Sequence, residues 1–211
     1  MADVAVRARQ NRKPSRIAQE RRRNLIDAAI RDIAAQGYDA VTVATICEEA
    51  GFSRGLIGHY FRGKDELLLA AVKTVADELG AAIREATRAA APDPVDRLHA
   101  LIRASFTPPG FTAETVSVWV SLVGAARWSP PLAKVYRTIW RDYRAGVARL
   151  LARAADAAGV PIDAQLTALT VSHLIEGFWI GWAADPEALL PEAAEACCHR
   201  YLDLVLGKAG R

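Results

Sequence analysis

Cysteine is scarce in this sequence, and its spacing excludes a disulfide scaffold. The 211 residues include three cysteines, of which Cys197 and Cys198 are adjacent. Three thiols spaced in this way cannot form the disulfide framework of a small secreted protein. We therefore expect the protein to work in a reducing compartment, the cytoplasm.

Runs of β-branched residues and period-two alternation are also missing, whereas alanine is abundant, so the composition favours helix over strand. With 52% hydrophobic residues, the chain can bury a sizeable core. One apolar stretch, Leu166–Ala184, approaches the length of a membrane span, but His173 and Glu176 lie within it, where ionisable groups are costly in lipid. We expect no membrane segment here. The stretch instead predicts a helix buried on several sides, most simply against a second copy of the chain.

Glycine and proline breakers divide the chain into about nine helices, so the predicted fold class is all-α. In the first third, helices are predicted at Arg16–Gln36, Val43–Ala50, Ser53–Tyr60 and Lys64–Ala91, with caps at Ser15, Thr42 and Ser53. Proline-containing breaks separate about five further helices, of which the last two are predicted at Leu166–Ala184 and Glu187–Leu206.

Positive charge is concentrated near the N-terminus, although the formal net charge is only +3. Eight basic residues between Arg7 and Arg23 stand against the single acid Glu20. Such a cluster favours a polyanionic partner, and a solvated basic tail is the alternative.

The segment from Thr42 to Phe61 has the spacing of a helix-turn-helix, a motif whose second helix can enter a DNA major groove. If Ile57 and Phe61 point into the core, the outward positions of the second helix are Arg54, Gly55, Gly58 and His59. Two exposed glycines weaken a helix, so close approach of another surface is the natural compensation. Any short helical pair joined by glycine has this spacing, and the spacing alone is therefore weak evidence.

The longer run from Gly51 to Leu68, GFSRGLIGHYFRGKDELL, resembles the signature of the TetR family of bacterial transcriptional regulators. Gly58 and Tyr60 depart from it, because the family usually has Tyr and His there. Within the family, His59-Tyr60-Phe61 and Glu176-Gly177-Phe178-Trp179 are similar to the BetI subgroup, choline-responsive repressors.

The resemblance implies a role for each residue at the DNA surface. Phosphates of double-stranded operator DNA would contact Thr42, Ser53, Gly55, Tyr60 and Lys64, and bases would face Arg54, Leu56 and His59. Leu56 is equally well placed to fill the core, and Tyr60 to keep its hydroxyl inside the protein.

The C-terminal helices contain a candidate effector site rich in aromatic residues. Its members are Trp119 and Leu122 on the sixth helix, Tyr136, Trp140 and Tyr143 on the seventh, and His173, Glu176 and Trp179 on the eighth. Several aromatic rings and an acid are the composition of a quaternary-ammonium cage. The alternatives are an aromatic core stripe, a neutral apolar effector, and pairing of Glu176 with His173 or with an arginine across a dimer.

The sequence contains no nucleophile elbow, glycine-rich phosphate loop, paired carboxylates or zinc pattern, so we predict neither an enzyme nor a cofactor. The predicted domains are a basic flexible arm (1–15), a DNA-binding domain (16–63) and a ligand-binding and dimerisation domain (64–211). We predict a repressor that binds a palindromic operator as a homodimer through its last two helices and responds to a small organic effector, such as choline. The alternative is a helical small-molecule-binding protein or enzyme that keeps the motif without reading DNA sequence.

Overall fold

The computed structural model describes residues 15–208, and all regular structure in that range is helical, which confirms the all-α prediction. The elements are α1 (Arg16–Gln36), α2 (Val43–Ala50), a 3-10 turn (Arg54–Leu56), α3 (Ile57–Tyr60), α4 (Lys64–Ala89), α5 (Pro94–Ala104), α6 (Ala113–Ala126), α7 (Pro130–Ala158), α8 (Ala164–Ala184) and α9 (Pro191–Val205). The predicted basic arm, apart from Ser15, lies outside the described residues.

Two of the predicted caps form as expected. The Ser15 hydroxyl accepts a hydrogen bond from the Ala18 amide at 3.2 Å, and the Thr42 hydroxyl accepts one from the Thr45 amide at 3.1 Å. Each satisfies an amide that has no partner inside its own helix. At the other end of α2, Gly51 adopts the left-handed conformation with φ 68°, which a residue with a side chain rarely takes.

The prediction of one capped helix from Ser53 to Tyr60 is wrong in two respects. The segment is a 3-10 turn followed by a four-residue α-helix, and the Ser53 hydroxyl makes no capping hydrogen bond. It is instead the Ser53 carbonyl that accepts from the Leu56 amide, at 3.0 Å. Gly55 and Gly58 lower the helix propensity of this short segment, and the turn tightens accordingly.

Three other helix ends differ from the predicted ones for reasons of local chemistry. Helix α4 ends at Ala89 rather than Ala91, because a residue before proline avoids helical backbone. Helix α8 begins two residues earlier than predicted, because the Asp163 carboxylate accepts from the amides of Gln165 and Leu166, both at 3.0 Å. Helix α9 begins at Pro191 rather than Glu187, since a proline inside a helix clashes with the preceding turn.

A single hydrophobic core runs through the described part of the chain. Helix α1 packs on α2, α4 and α6, and the long α4 also contacts α5 and α7, so it joins the N-terminal helices to the C-terminal ones. Helix α8 packs on α6, α7 and α9. Among the described helices, none combines the length and apolar character that crossing a bilayer requires.

Candidate functional site

Helix α2 is fixed to α1 by a polar network that the sequence did not reveal. The buried carboxylate of Asp32 accepts hydrogen bonds from the Thr45 hydroxyl, at 2.5 Å, and from the Gln36 amide. Next to it, the Arg31 Nε and Glu49 Oε1 atoms lie 2.6 Å apart. These contacts hold the motif's first helix at a fixed angle to its support.

The second helix of the motif is anchored by its apolar face. Ile57 and Phe61 are each 3% exposed, as predicted, and Phe52 is half-buried beside them. The Arg22 guanidinium lies 4.7 Å from the centroid of the Phe61 ring, a cation–π contact with α1. This anchoring fixes which residues face outward.

The outward face carries the residues that the sequence placed there. Arg54, Gly55, Gly58 and His59 are all exposed. A Cβ atom built on Gly55 or Gly58 would meet nothing within 4 Å, so no internal contact requires either glycine. We call the surface formed by these four residues the exposed strip, in which the two glycines carry no side chain.

The remaining predicted DNA contacts surround this strip. Thr42 and Ser53 are exposed, and only the Thr42 hydroxyl is used as a cap. Lys64, half-buried, is the first residue of α4. Leu56 and Tyr60 are half-buried, and Tyr60 packs against the core.

A cavity of about 710 Å³ lies among α4, α5, α7 and α8, and Trp119 of α6 also lines it. Five of the predicted ligand-binding residues line it: Trp119, Trp140, Tyr143, Glu176 and Trp179.

We call the buried part of the lining the closed end of the cavity, and it includes three tryptophans. The Trp119 ring centroid lies 5.9 Å from that of Trp140 and 6.4 Å from that of Trp179, both edge to face. The Trp179 Nε1–H donates to the Ser105 carbonyl at 2.8 Å, which fixes its ring. Edge-to-face packing of this kind makes a rigid aromatic wall.

Glu176 is the charged residue of this end, and it is only 8% exposed. The Tyr136 hydroxyl donates to its Oε1 at 2.9 Å and its Oε2 at 3.2 Å. Burial, and then the hydrogen bond to Glu176, raise the pKa of Tyr136 to about 12. Within residues 15–208 no cationic side chain lies within 4 Å of the carboxylate, so His173 is not its partner.

Three predicted residues lie outside the cavity lining. Leu122 is 1% exposed within the core, and Tyr136 contacts Glu176 from behind the lining. His173 is exposed, its ring stacked on Trp140 at 5.5 Å, and its Nδ1 is bonded to a backbone carbonyl of its own helix. Arg144, also outside the lining, places its guanidinium 5.9 Å from the Trp140 ring centroid.

Three buried polar atoms of the lining have no hydrogen-bond partner in the described chain: Arg97 Nε, Trp140 Nε1 and the Tyr143 hydroxyl. Burial raises the pKa of Tyr143. A buried polar group without a partner costs about 1–3 kcal/mol.

The site residues predicted from the sequence did not include the arginines of this cavity. Its lining includes Arg84, Arg88, Arg97, Arg149 and Arg153. One signal was present, because the stripe of α7 that carries Trp140 and Tyr143 continues at helical spacing to Arg153. The predicted site ended with the aromatic residues of α7 and did not extend to Arg153.

The described residues offer no alternative site of another class. No group of three or more His, Cys, Asp or Glu side chains in residues 15–208 can hold a metal ion. Cys47, which lies on the core face of α2, donates its thiol to the Ser53 carbonyl at 3.6 Å. The exposed strip on the helix-turn-helix and the cavity that contains Glu176 are therefore the candidate sites.

Two protein-family models match the chain in separate segments. The model of the tetR family of bacterial regulatory proteins matches residues 25–71, and that of the C-terminal part of BetI-type transcriptional repressors matches residues 94–207. The first segment contains the helix-turn-helix, and the second contains most of the cavity.

Similar full-length proteins agree with these matches. The transcriptional regulator BetI of Brucella canis is 36% identical over 180 residues, covering 83% of this chain and 85% of its own. The BetI of Burkholderia cenocepacia is 30% identical over 186 residues, covering 88% of this chain and 94% of its own. Both are regulators of transcription, as the sequence predicted for this chain.

Solved structures share the fold. A regulator from Pseudomonas aeruginosa superposes with a TM-score of 0.81 at 27% identity, over 95% of both chains. A regulator from Saccharomonospora viridis, crystallised with choline, gives a TM-score of 0.80 at 23% identity, over 88% of this chain and 96% of its own. The chain belongs to the TetR family of bacterial transcriptional regulators, with a C-terminal domain of the BetI repressor type.

Proposed function

We propose that this regulator represses transcription from a palindromic operator, which it binds as a homodimer, and that a small organic cation of the quaternary-ammonium class, such as choline, modulates that binding. Residues 16–63 would read DNA, residues 64–211 would bind the effector and dimerise, and the arm of residues 1–15 would add phosphate contacts. A protein that reads the bacterial chromosome works in the cytoplasm, where we place it.

The DNA surface is the exposed strip of the helix-turn-helix. We assign base contacts to Arg54, Leu56 and His59, and phosphate contacts to Thr42, Ser53, Gly55, Tyr60 and Lys64. The absence of side chains at Gly55 and Gly58 would let the backbone approach the edge of the major groove, while Arg54 is exposed and positioned to reach a guanine. Lys64 and the amides of the first turn of α4 form a positively polarised end suited to a phosphate.

The dimer surface is an apolar stripe on α8 and α9. Large hydrophobic residues are left exposed on it: Leu166, Leu169 and Ile180 on α8 and Leu204 on α9. Gly177 lies on the same face of α8, and a Cβ there would meet nothing within 4 Å, so a second helix can approach closely. A symmetric dimer through this stripe would present two recognition helices about 34 Å apart, one turn of DNA.

The observation that carries the effector assignment is the unneutralised carboxylate of Glu176. It is buried among aromatic rings, and within residues 15–208 its partner is a tyrosine hydroxyl and not a cation. A buried charge is costly unless it is paired. A trimethylammonium group would pair with it and lie against the faces of Trp119 and Trp179, which attract cations. The choline-bound regulator of S. viridis has the same fold, which supports a cavity of this kind.

Two helices connect the cavity to the DNA surface. Helix α4 begins at Lys64, lines the cavity from Ala76 to Arg88, and covers the ~30 Å between the two sites as one rigid element. Helix α6 presents Trp119 to the cavity and packs on α1, the support of the motif. A ligand that shifts either helix would change the spacing of the two recognition helices, and a coupling of about 1–3 kcal/mol is typical.

The test combines DNA binding and calorimetry. We expect a gel shift on DNA upstream of the protein's own gene, weakened by salt and changed by a trimethylammonium compound. Titration calorimetry should show heat with choline, little with its neutral carbon isostere, and a loss of at least about tenfold in affinity in Glu176→Gln. Weak DNA binding that ignores sequence would favour the alternative of a helical binding protein, and heat from the neutral isostere alone would exclude the cation.

A further inference from the structure

The two ends of the cavity carry opposite charge. At the closed end, Glu176 and three tryptophans are all buried. Toward the open end the lining arginines are exposed or half-buried: Arg84, Arg88, Arg97, Arg149 and Arg153. A ligand that fills the cavity therefore meets a carboxylate at one end and guanidinium groups at the other.

Most of these arginines are not neutralised within the protein. Arg88 is hydrogen-bonded to Glu85. Of the lining acids other than Glu176, Asp142 is held by Arg141 at 2.8 Å, which leaves Asp77. The other arginines of the lining have no carboxylate within 4 Å in residues 15–208. The open end thus carries an excess of positive charge.

Arg97 differs from the other arginines of this group, because its Nε is fully buried and has no hydrogen-bond partner in the described chain. A guanidinium N–H in that state favours an anionic acceptor, with which it forms a strong, charge-assisted hydrogen bond. A carboxylate or phosphate oxygen in the cavity would pair with the guanidinium group of Arg97.

The separation of the two ends follows from α5. Arg97 lies on α5, and Ser105, whose carbonyl accepts from Trp179, follows the last residue of that helix, a little over two turns or ~12 Å further along. The two ends are therefore close enough for one small molecule to contact both.

On the basis of the proposed function, we infer that the effector is a zwitterion, in which a quaternary ammonium group occupies the end formed by Glu176 and the tryptophans and a carboxylate or phosphate group meets the arginines around Arg97. A simple cation would leave those arginines unpaired, and it would have to enter past their positive charge. An anionic amphiphile would satisfy the arginines but leave Glu176 buried without a counter-ion.

The test compares ligands that share the ammonium group. Calorimetry on the full-length protein would use choline, phosphocholine, a trimethylammonium carboxylate and the neutral isostere of choline. We expect at least one of the two zwitterions to bind about tenfold tighter than choline or better, and the tighter of the two identifies the anionic group. Added salt should reduce that advantage.

Variants separate this inference from the proposed function. Arg97→Met, or the exposed Arg153→Met should the first fail to fold, ought to weaken binding of the zwitterion and remove its advantage, without weakening the binding of choline. Arg137→Met removes the same charge from α7 outside the lining and is the matched control. Equal binding of choline and both zwitterions, with no effect of Arg97→Met, would overturn the inference alone. No heat from any ammonium compound would overturn the proposed function as well.

Discussion

The DNA surface and the cavity differ most in where their polar groups lie. On the helix-turn-helix, Arg54 and His59 project into solvent on either side of two bare glycines, and the internal bonds of the motif are made elsewhere, around Asp32. In the cavity, Glu176 and Trp140 are buried, and three polar atoms of the lining have no hydrogen-bond partner among residues 15–208.

This difference indicates two kinds of recognition. Exposed charged side chains are solvated, so leaving them without a ligand costs the protein little free energy. DNA binding should therefore depend on the salt concentration and on a few side chains that the fold does not need. In the cavity, a buried carboxylate has no cationic partner in residues 15–208, and a cationic ligand would remove that cost. Effector binding should therefore be selective and should stabilise the protein. Substitutions at one site should therefore leave the other site's intrinsic affinity intact.

The largest effect should come from breaking the dimer, because it acts on the DNA surface alone. Leu169→Glu combined with Ile180→Glu puts charge in the exposed stripe of α8. We expect a monomer by sedimentation and a loss of operator affinity of about 10²–10⁴-fold, because the two half-sites no longer bind together, with calorimetric effector binding retained. Trp128→Gln, which removes an exposed hydrophobic residue outside these helices, is the control. A dimer that survives the double substitution would contradict the assignment.

Arg54→Ala should have the next largest effect, at about 1–3 kcal/mol of operator discrimination, since a bidentate contact to guanine is lost. Lys64→Ala should instead weaken binding to all sequences equally and lower the salt slope by about 1. Quantitative footprinting at several salt concentrations measures both. The melting temperature and effector binding serve as controls, and unchanged protection by both variants would show that another surface binds DNA.

Thr45→Val should destabilise the DNA end through the network around Asp32. It removes the hydroxyl that donates to Asp32 and accepts from the Thr42 amide, at a cost of about 1–3 kcal/mol measured by urea denaturation. Thr74→Val removes a hydroxyl bonded only to its own helix and is the matched control. Equal stability of the two variants would show that the network contributes nothing.

The smallest effect should be a pH dependence at the opposite end of the molecule. His99 on α5 and His199 on α9 lie with their Nδ1 atoms 2.7 Å apart, and Asp203 is 3.3 Å from His99. Burial, and then the neighbouring His199, lower the pKa of His99 from 6.5, against a smaller opposing effect of Asp203. The unfolded chain then binds the proton more readily, so unfolding free energy should fall as the pH drops below about 6.5. His99→Gln should flatten this part of the urea-midpoint profile, and an unchanged profile would contradict the assignment.

Local chemistry was readable from the sequence wherever one residue decides the outcome. Ser15 and Thr42 cap their helices, Gly51 ends α2, and Ile57 and Phe61 point inward, as predicted. The errors arose where two local preferences compete. Gly55 and Gly58 outweighed the helical pattern after Ser53, and Pro191 outweighed the pattern that extended α9 back to Glu187.

The candidate effector site could be predicted only in part, from the types of residue on successive helices. Aromatic residues and one acid on successive helices indicated a cavity, and five of the eight residues named line it. Arg97 could not be found in this way, because an arginine on a helix is normally solvated and only tertiary packing buries its Nε. The bond between Asp32 and Thr45 likewise joins two helices, and no spacing within either helix predicts it.

We propose that an ammonium group bound at Glu176 changes the affinity of the dimer for DNA. An operator titration by fluorescence anisotropy tests this proposal most directly. The titration would be run with and without a saturating trimethylammonium ligand, on the unaltered protein and on Glu176→Gln. We predict that the ligand changes operator affinity by about 5–150-fold in the unaltered protein. In the variant, operator affinity without ligand should be the same, and the response should be lost. An unaltered protein that ignores the ligand, or a variant that responds equally well at the same ligand concentration, would contradict the account.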